Sequence, residues 1–451
     1  MQNDQFDPKV FFERPTPNII HFVFGLDPQE KPFSFVHYLA VYSAYRINHP
    51  TSIYFHRHHP SYGKWWDRLL VDVPILLVKD VDIPTHIGDK EILRTAHKAD
   101  KVRMDILFEM GGVYMDIDTI SVRPYRHLLN NDTTMCKQYM LRYKHTYTGV
   151  YSTPYIGGIC NAIMLTKARS PFFELWRKHY ATAFNPKGWE EASIWLPLLL
   201  AKKRPSIVTV LEPPAFNVPC CWEGKKVFSE DTQEIPEELL TLHLCETMSK
   251  EYVDAVTGWD WMDTHPNTMY AKMMAPFHVK CMITNNCYGV QYYARKERMY
   301  NTPFVGMFMY APCYMHLLEN YDDLMSVDPE PCEASKYRSG GPQMSGCVLR
   351  LGPVEMHFIH TENAKECVET WVRRRTRMYA KEDCDVKLCD RDLFDDDIAR
   401  RFMELRGFKS KTLFLSNRFR HIHALDSVDI VRLDVATTPD GYQLECAHPI
   451  L

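Results

Sequence analysis

GGVYMDIDTISVRP, residues 111–124, decides how the first half of the chain folds. Two glycines open it, Val113, Tyr114 and Met115 follow, and Asp116-Ile117-Asp118 arrives where a buried strand should be ending. Just before it, residues 89–110 (DKEILRTAHKADKVRMDILFEM) carry apolar residues at 92, 93, 96, 99, 102, 106, 107 and 110, the spacing of an amphipathic helix. Gly111 stands where a glycine commonly closes a helix. The stretch therefore reads as helix, glycine pair, strand, and then two carboxylates at i and i+2, which leave a strand on the same side.

Working outward, the same alternation recurs. NIIHFVFG (18–25) reads as a buried strand ending in a turn, residues 33–48 as a helix, 51–57 as a strand, WWDRLLVDV as a short helix and 74–82 as a further strand. Strands alternating with helices predict an α/β domain with a parallel or mixed sheet. In such sheets ligands bind beyond the carboxyl ends of the strands, which is where Asp116 and Asp118 fall. A second α/β pattern starts near 276. It has strands expected at 277–287, 354–360, 411–417 and 429–435, helices at 364–382 and 395–407, and a Pro/Gly/Ser-rich loop at 326–346. The expected division is 1–265 and 276–451, in keeping with a chain of 451 residues, too long for one ordinary core.

Composition narrows the class. The chain is 45% hydrophobic and 24% charged, as soluble globular proteins are, and a net charge of −4 argues against a general polyanion binder. The N-terminal MQNDQFDPKVFFERP lacks a basic segment followed by an apolar one, and no run of about 18 apolar residues occurs, so neither signal peptide nor membrane span is expected. IWLPLLLA (194–201) reads as core. The 14 cysteines show no CxxC and no zinc-type Cys/His quartet, so reduced thiols in a cytoplasmic protein are the expectation.

A bare D-x-D is common here: it occurs at 80/82, 116/118, 383/385, 390/392 and 395/397. The last three lie in an acidic, solvated stretch, and Asp80/Asp82 also follows an apolar strand. Asp116/Asp118 differs by its context, a helix with Asp100 and Arg103 one turn apart and a glycine pair allowing close backbone approach. Hard divalent cations prefer carboxylate oxygens and leave positions open for phosphate. They neutralise the charge of a departing nucleoside diphosphate. A structural turn is the competing reading.

The run AHKADKVRMDILFEMGGVYMDIDTISVRPY resembles the DXD sugar-binding region of glycosyltransferase family 32: small-Asp-x-x-Arg, an apolar helix, then Gly-Gly-apolar-Tyr-apolar-Asp-x-Asp. NIIHFVFG, with His21, resembles the family's opening strand of the nucleotide pocket. GGICNAIMLTKARSPFF (157–173), with Asn161, resembles a later segment. VTVLEPPAFNVP (208–219) and LHLCETMS (242–249) resemble the closing pieces, where a histidine completes the metal site; the usual Ser-Trp after it is not cleanly present. The resemblance covers about residues 15–260. It implies a GT-A-like fold, a nucleotide-sugar donor (UDP- or GDP-sugar), Mn²⁺ or Mg²⁺, and a glycan acceptor. By position it implies Asp118 as direct metal ligand and Asp116 as ribose or metal-water contact. Asp100 and Arg103, with Tyr114 beside them, would hold the donor, and His243 would be the late ligand. It further implies transfer with retention; with no second carboxylate assignable as a covalent nucleophile, front-face attack by the acceptor hydroxyl is the expectation. Glu190 and Glu191 read as solvated loop.

In the second half, ITNNCYGVQYY, NTPFVGMFM and LGPVEMHFIHTENAKECVETWVRRRTRM resemble domain of unknown function 1919 of exopolysaccharide-biosynthesis proteins, over about 276–420 and with Thr284, Thr302 and Thr361 departing from its pattern. Asn285, Asn286 and Cys287 should sit on a turn after a buried strand, with His357 and His360 as partners and Cys287 as a nucleophile candidate; a buried thiol and core histidines are the plainer alternative. Arg373, Arg374, Arg375 and Arg377 either bind phosphate or face solvent while Trp371, Val372 and Met378 pack inward. No nucleic-acid surface is evident. The expectation is a two-domain glycan-building enzyme with a second α/β (Rossmann-like) glycan-active unit. The rivals are a non-catalytic glycan-binding or docking module there, and a hydrolase or phosphotransferase at the carboxylates.

Overall fold

The computed structural model describes residues 15–146, 149–229, 234–295, 299–337, 346–361, 363–423 and 428–450, without side chains at 143–146, 149–151 and 263. Residues 1–14, nearly all of the N-terminal stretch in which no signal peptide is expected, and 338–345, part of the expected Pro/Gly/Ser-rich loop, lie outside the described residues. The chain divides into two compact units, 1–277 and 278–451. Among the described residues no helix is long and apolar enough to cross a membrane.

The first unit is a mixed α/β layer structure. Its strands are β1 (Ile19–Phe24), β2 (Ser52–Arg57), β3 (Leu76–Asp80), β4 (His86–Ile87), β5 (Lys90–Glu91), β6 (Gly112–Met115), β7 (Thr119–Ser121), β8 (Thr133–Thr146), β9 (Gly149–Thr166), β10 (Thr209–Leu211) and β11 (Thr241–His243). Its longer helices are α1 (Phe35–Asn48), α2 (Lys64–Asp72), α3 (Thr95–Met110), α4 (Pro171–Ala183), α5 (Leu196–Lys203) and α6 (Glu246–Ala255). Seven strands form one sheet in the order β10-β8-β9-β6-β1-β2-β3. β1 runs parallel to β2 and β6, while β6 and β9 are antiparallel. β6 is thus central, and every residue of it is buried. Under α3 and α4, Leu107, Tyr114, Met164, Phe172, Trp176 and Tyr180 fill one core.

The helix expected from 89 begins at Thr95 instead. Gly88, at φ 63°, turns β4 into β5. Lys90 Nζ then donates to the carbonyls of Ala181 (3.0 Å) and Phe184 (2.7 Å), and Ile92 N–H to Thr85 O (2.8 Å). These bonds hold the segment extended, and Leu93 is left exposed. The stretch 194–201 is core only in part. Ile194, Pro197, Leu200 and Ala201 are buried, but Trp195 and Leu199 face solvent.

The second unit has its own core. β12 (Cys281–Thr284), β16 (Cys384–Cys389), β17 (Ser410–Leu415) and β18 (Asp429–Arg432) form a fully parallel sheet in that order. β13 (Glu330–Pro331), β14 (Cys347–Leu351) and β15 (Val354–Phe358) form an antiparallel one. Trp371, from the helix Ala364–Arg375, packs with Phe304, Met356 and Leu413. That helix ends seven residues before the expected 382, followed by a turn at Thr376–Arg377.

Candidate functional site

α3 and β6 deliver one half of the site. Asp100 and Arg103 lie one helical turn apart and are both buried. Arg103 Nη1 donates to Asn161 O (2.9 Å) and to Asp116 Oδ2 (3.2 Å), Nη2 stands 3.0 Å from Asp116 Oδ1, and Nε donates to Ala99 O (3.3 Å). Its guanidinium lies over the Tyr114 ring at 4.6 Å, and the Tyr114 hydroxyl donates to Asp116 Oδ1 (2.6 Å). Asn161, on β9, donates its amide to Asp100 Oδ1 (2.7 Å). Burial pushes the Asp100 carboxyl up, against the pull of Arg103 and Asn161. The Arg103 cation balances two acids in a buried place, so removing it would strand them.

The glycine pair makes room for this. Gly111 and Gly112 have φ of 64° and 106°, and a Cβ on Gly112 would stand 2.6 Å from Ile19 Cγ1 and 2.7 Å from Ile19 O. After β6 the chain turns at once: Asp116 N–H bonds Ala162 O (2.8 Å) and Asp116 O accepts from Thr119 Oγ1 (2.7 Å).

β7 brings in the other half. It pairs antiparallel with β11, with His243 opposite Thr119, and Leu244 N–H donates to Asp118 O (2.9 Å). His243 Nε2 thereby lies 3.5 Å from Asp118 Oδ1 and 3.9 Å from Asp116 Oδ2. Asp118 Oδ2 accepts the Glu246 backbone N–H (2.7 Å) at the start of α6. Burial opposes ionisation of Asp118, but His243 and that N–H win and hold it at about 2. His243 moves the other way: burial lowers it, the facing Asp118 raises it more, and it ends well above the ordinary histidine range.

Asp116, Asp118 and His243 offer ligand atoms all within 4.8 Å of one another. Two carboxylates and one imidazole suit a hard or borderline divalent cation. They line a cavity of about 530 Å³ together with Asp100, Arg103, Tyr114, Asn161, Cys160 and Glu190.

His21 takes another place. It is fully buried, with Nδ1 3.1 Å from His56 Nε2 and Nε2 3.0 Å from Gly111 O, and it is not part of the cavity wall. Asp80, on the edge strand β3, is an exposed partner of Arg57.

In the second unit the amides of Asn285 and Asn286 donate to Cys389 Sγ (3.5 and 3.1 Å), and Asn285 Oδ1 accepts Cys389 N–H (3.2 Å). They tie the end of β12 to the end of β16. Burial raises the Cys287 thiol, with Asp440 adding to it, the opposite of what activates a nucleophile. Among the described residues no histidine hydrogen-bonds Cys287. His357 is buried against Phe308 and Tyr310, whereas His360 is exposed. The arginines mostly serve the fold: Arg374 and Arg377 donate to Val305 O (2.7 Å) and Tyr300 O (3.0 Å), and Arg375 pairs with Asp328. Trp371 is fully buried, as the inward-packing alternative requires.

Three features escaped the sequence reading. Cys221 and Cys245 form a disulfide with Cα atoms 5.3 Å apart, correcting the expectation of reduced thiols throughout. The two are 24 residues apart in no recognisable framework, so only folding brings them together. Glu190 is half-buried on the cavity wall rather than simply solvated, while the Glu191 carboxylate accepts the N–H groups of Trp189 and Glu190 (3.0 and 3.1 Å). The Glu246 N–H on Asp118 carries no side-chain signal at all.

Residues 70–135 match the family described as "Glycosyltransferase sugar-binding region containing DXD motif". Residues 271–433 match "Domain of unknown function (DUF1919)". The chain is 32% identical over 218 residues to "Glucan organizing enzyme 1" of Cryptococcus neoformans var. grubii serotype A, covering 47% of this chain and 56% of that protein. It is 26% identical over 133 residues to an uncharacterized protein of Haemophilus influenzae, covering 30% of this chain and 60% of that one. The chain thus spans less than two thirds of the length of either curated relative. Among solved structures, the glycosyltransferase GlyE of Streptococcus pneumoniae is similar at 15% identity over 64% of this chain and 73% of that one, with a TM-score of 0.30. Mouse xyloside xylosyltransferase 1 is similar at 11% over 51% and 98%, with a TM-score of 0.33. The D-x-D stretch and its preceding helix thus lie within the residues similar to that sugar-binding region, in a mixed α/β unit.

Proposed function

We propose that the first unit is a metal-dependent transferase of the GT-A type that moves a hexosyl or pentosyl group from a UDP- or GDP-sugar to a hydroxyl of a glycan. The observation that carries this reading is the convergence of Asp116, Asp118 and His243 on one cavity also lined by Asp100, Arg103 and Asn161. Asp118 and His243 would hold Mn²⁺ or Mg²⁺ directly, with Asp116 at ribose or at a metal-bound water. Bound there, the cation would supply charge neutralisation for the leaving diphosphate.

The chain's own residues do the positioning. Arg103 spends its donors on Asp116, Asn161 and Ala99, so it fixes the Asp116 carboxylate more than it reaches for phosphate. Asp100, steadied by Asn161 on Oδ1 and by the Tyr180 hydroxyl on Oδ2 (3.4 Å), would offer the remaining lone pair of Oδ2 to a sugar hydroxyl. We read the transfer as retaining: the acceptor hydroxyl attacks from the face the diphosphate leaves, and its proton passes to the departing diphosphate oxygen. Holding both groups in register lowers the barrier without a covalent intermediate.

For the second unit we propose a role on the same glycan. The raised Cys287 thiol and the structural use of Asn285 and Asn286 favour binding over covalent catalysis.

The deciding experiment screens nucleotide sugars for Mn²⁺-dependent turnover, with Asp116→Ala and Asp118→Ala as controls. Loss of a ligand should cost more than about 100-fold, since outer-shell changes alone cost about 10- to 100-fold. Turnover that persists in both variants removes the reading. Transfer to water or phosphate only, with every glycan refused, converts it to a hydrolase or phosphotransferase.

A further inference from the structure

His243 faces two ligand sets with its two ring nitrogens. Nε2 faces the carboxylates, at 3.5 Å from Asp118 and 3.9 Å from Asp116. Nδ1 faces sulfur, at 3.4 Å from Cys245 Sγ and 3.9 Å from Cys160 Sγ. Cys221, His243 and Cys245 offer ligand atoms all within 4.8 Å, as the carboxylate set does. Cys245 sits at φ 51° and ψ 61°, a left-handed conformation that a non-glycine residue adopts at a cost. That one turn aims the Cys245 sulfur at His243 and the next N–H at Asp118. Cys160, Cys221, His243 and Cys245 all line the donor cavity, so solutes reach the disulfide through it.

We propose that Cys221, Cys245 and His243 Nδ1 form a second metal site, for a thiophilic cation such as Zn²⁺, which opens when the disulfide is reduced and takes His243 away from the carboxylate site. The proposal rests on the reading of Asp116, Asp118 and His243 as a divalent-cation site. A dithiol supplies two electrons and two protons, leaves as its own disulfide, and frees the Cys221 and Cys245 thiols. Zn²⁺ then displaces both thiol protons. Two thiolates and an imidazole suit it, with Cys160 or water for the fourth position. A neutral imidazole has one lone pair at a time. With Zn²⁺ on Nδ1 the proton sits on Nε2, where it donates to Asp118 and cannot ligate. The oxidised protein therefore holds the hard cation through Asp118 and His243, with Asp116 beside it. The reduced, zinc-loaded protein keeps only the carboxylates.

The test uses the full chain, oxidised or reduced with a dithiol and then desalted under argon, with Co²⁺ as the probe. Thiolate-to-cobalt charge-transfer absorption is expected in the reduced protein, bleached by one equivalent of Zn²⁺, and absent from the oxidised protein. It should vanish in Cys221→Ser and in His243→Asn. Mn²⁺ affinity, read by electron paramagnetic resonance, should fall at least tenfold on zinc loading of the reduced wild type. Should a variant not fold, alkylation of the reduced wild type followed by mass spectrometry serves, with Zn²⁺ expected to protect Cys221 and Cys245. A band that persists at full strength in Cys221→Ser comes from the unpaired Cys245 or from the 12 free cysteines, not from the proposed pair, and overturns the site. Equal alkylation with and without Zn²⁺ also overturns it, and zinc loading that leaves Mn²⁺ affinity unchanged overturns the competition. The cobalt band is read without any sugar donor, so a failed transferase assay leaves it standing.

Discussion

Asp118 is gripped from two sides before any ligand arrives, by the His243 ring and by the Glu246 N–H. Its folded pKa of about 2 lies below the ordinary 3.8, so the stability it contributes is present above 3.8 and is lost as pH falls through about 2. His243 lies above its ordinary 6.5, so its contribution is complete below 6.5 and is lost as pH rises through the raised value. A cation on Nε2 must displace that proton. Mn²⁺ affinity should therefore rise about tenfold per pH unit as pH climbs toward the raised His243 value and level off beyond it, and Asp118→Asn should weaken binding and flatten the slope; titrations at several pH values check both. The His21–His56 pair behaves oppositely. Burial lowers the two to about 4 and about 3, so below 6.5 the unfolded chain takes up protons that the folded one refuses. Each should remove about 1.4 kcal/mol per pH unit as pH falls from 6.5 toward 4. Denaturant midpoints should show this slope, and His56→Phe should reduce it. At this scale Asp116, Asp118, Asp100 and Arg103 were legible because helical and strand spacing are local. His243 was reachable only through resemblance, since nothing near it in sequence announces a partner 125 residues away. His21 shows the converse, a histidine in a motif-like strand that serves packing.

Among the elements, β6 carries the most constraint. It lies between β1 and β9, and Gly112 lets its backbone approach Ile19 of β1. Gly112→Ala adds a methyl group at 2.6 Å and imposes φ 106° on a residue with a Cβ. A loss of about 2–5 kcal/mol is expected from strain plus overpacking, measured by denaturant unfolding, with weaker Mn²⁺ binding as the site's floor shifts. Strand existence was readable here from apolar runs, whereas the start of α3 was not. The bonds that keep residues 90–92 extended come from Thr85 and from the end of α4, and a periodicity count cannot see them.

For the whole molecule, each unit has its own core, and the donor chemistry proposed here belongs to 1–277 alone. Hydrogen exchange with a nucleoside diphosphate and Mn²⁺ should slow amides at 95–119 and 241–248 and leave 281–289 and 384–393 unchanged. Slowing in the latter segments would show a second nucleotide site. The parallel order of the second sheet follows from its strand–helix alternation. Its function did not follow, because Asn285, Asn286 and Cys389 hydrogen-bond one another and so serve to hold β12 to β16.

The β7–β11 ladder has one more consequence. During synthesis a chain leaves the ribosome from its amino end and folds as it goes. A nascent chain that has reached Leu211 already owns both aspartates and the seven strands of its main sheet, but not the imidazole. Only when Thr241–His243 emerges and zips onto Thr119–Ser121 does the carboxylate pair gain its nitrogen. The cation site is thus assembled late, after the sheet that supports it, so an immature chain is a poor scavenger of divalent ions.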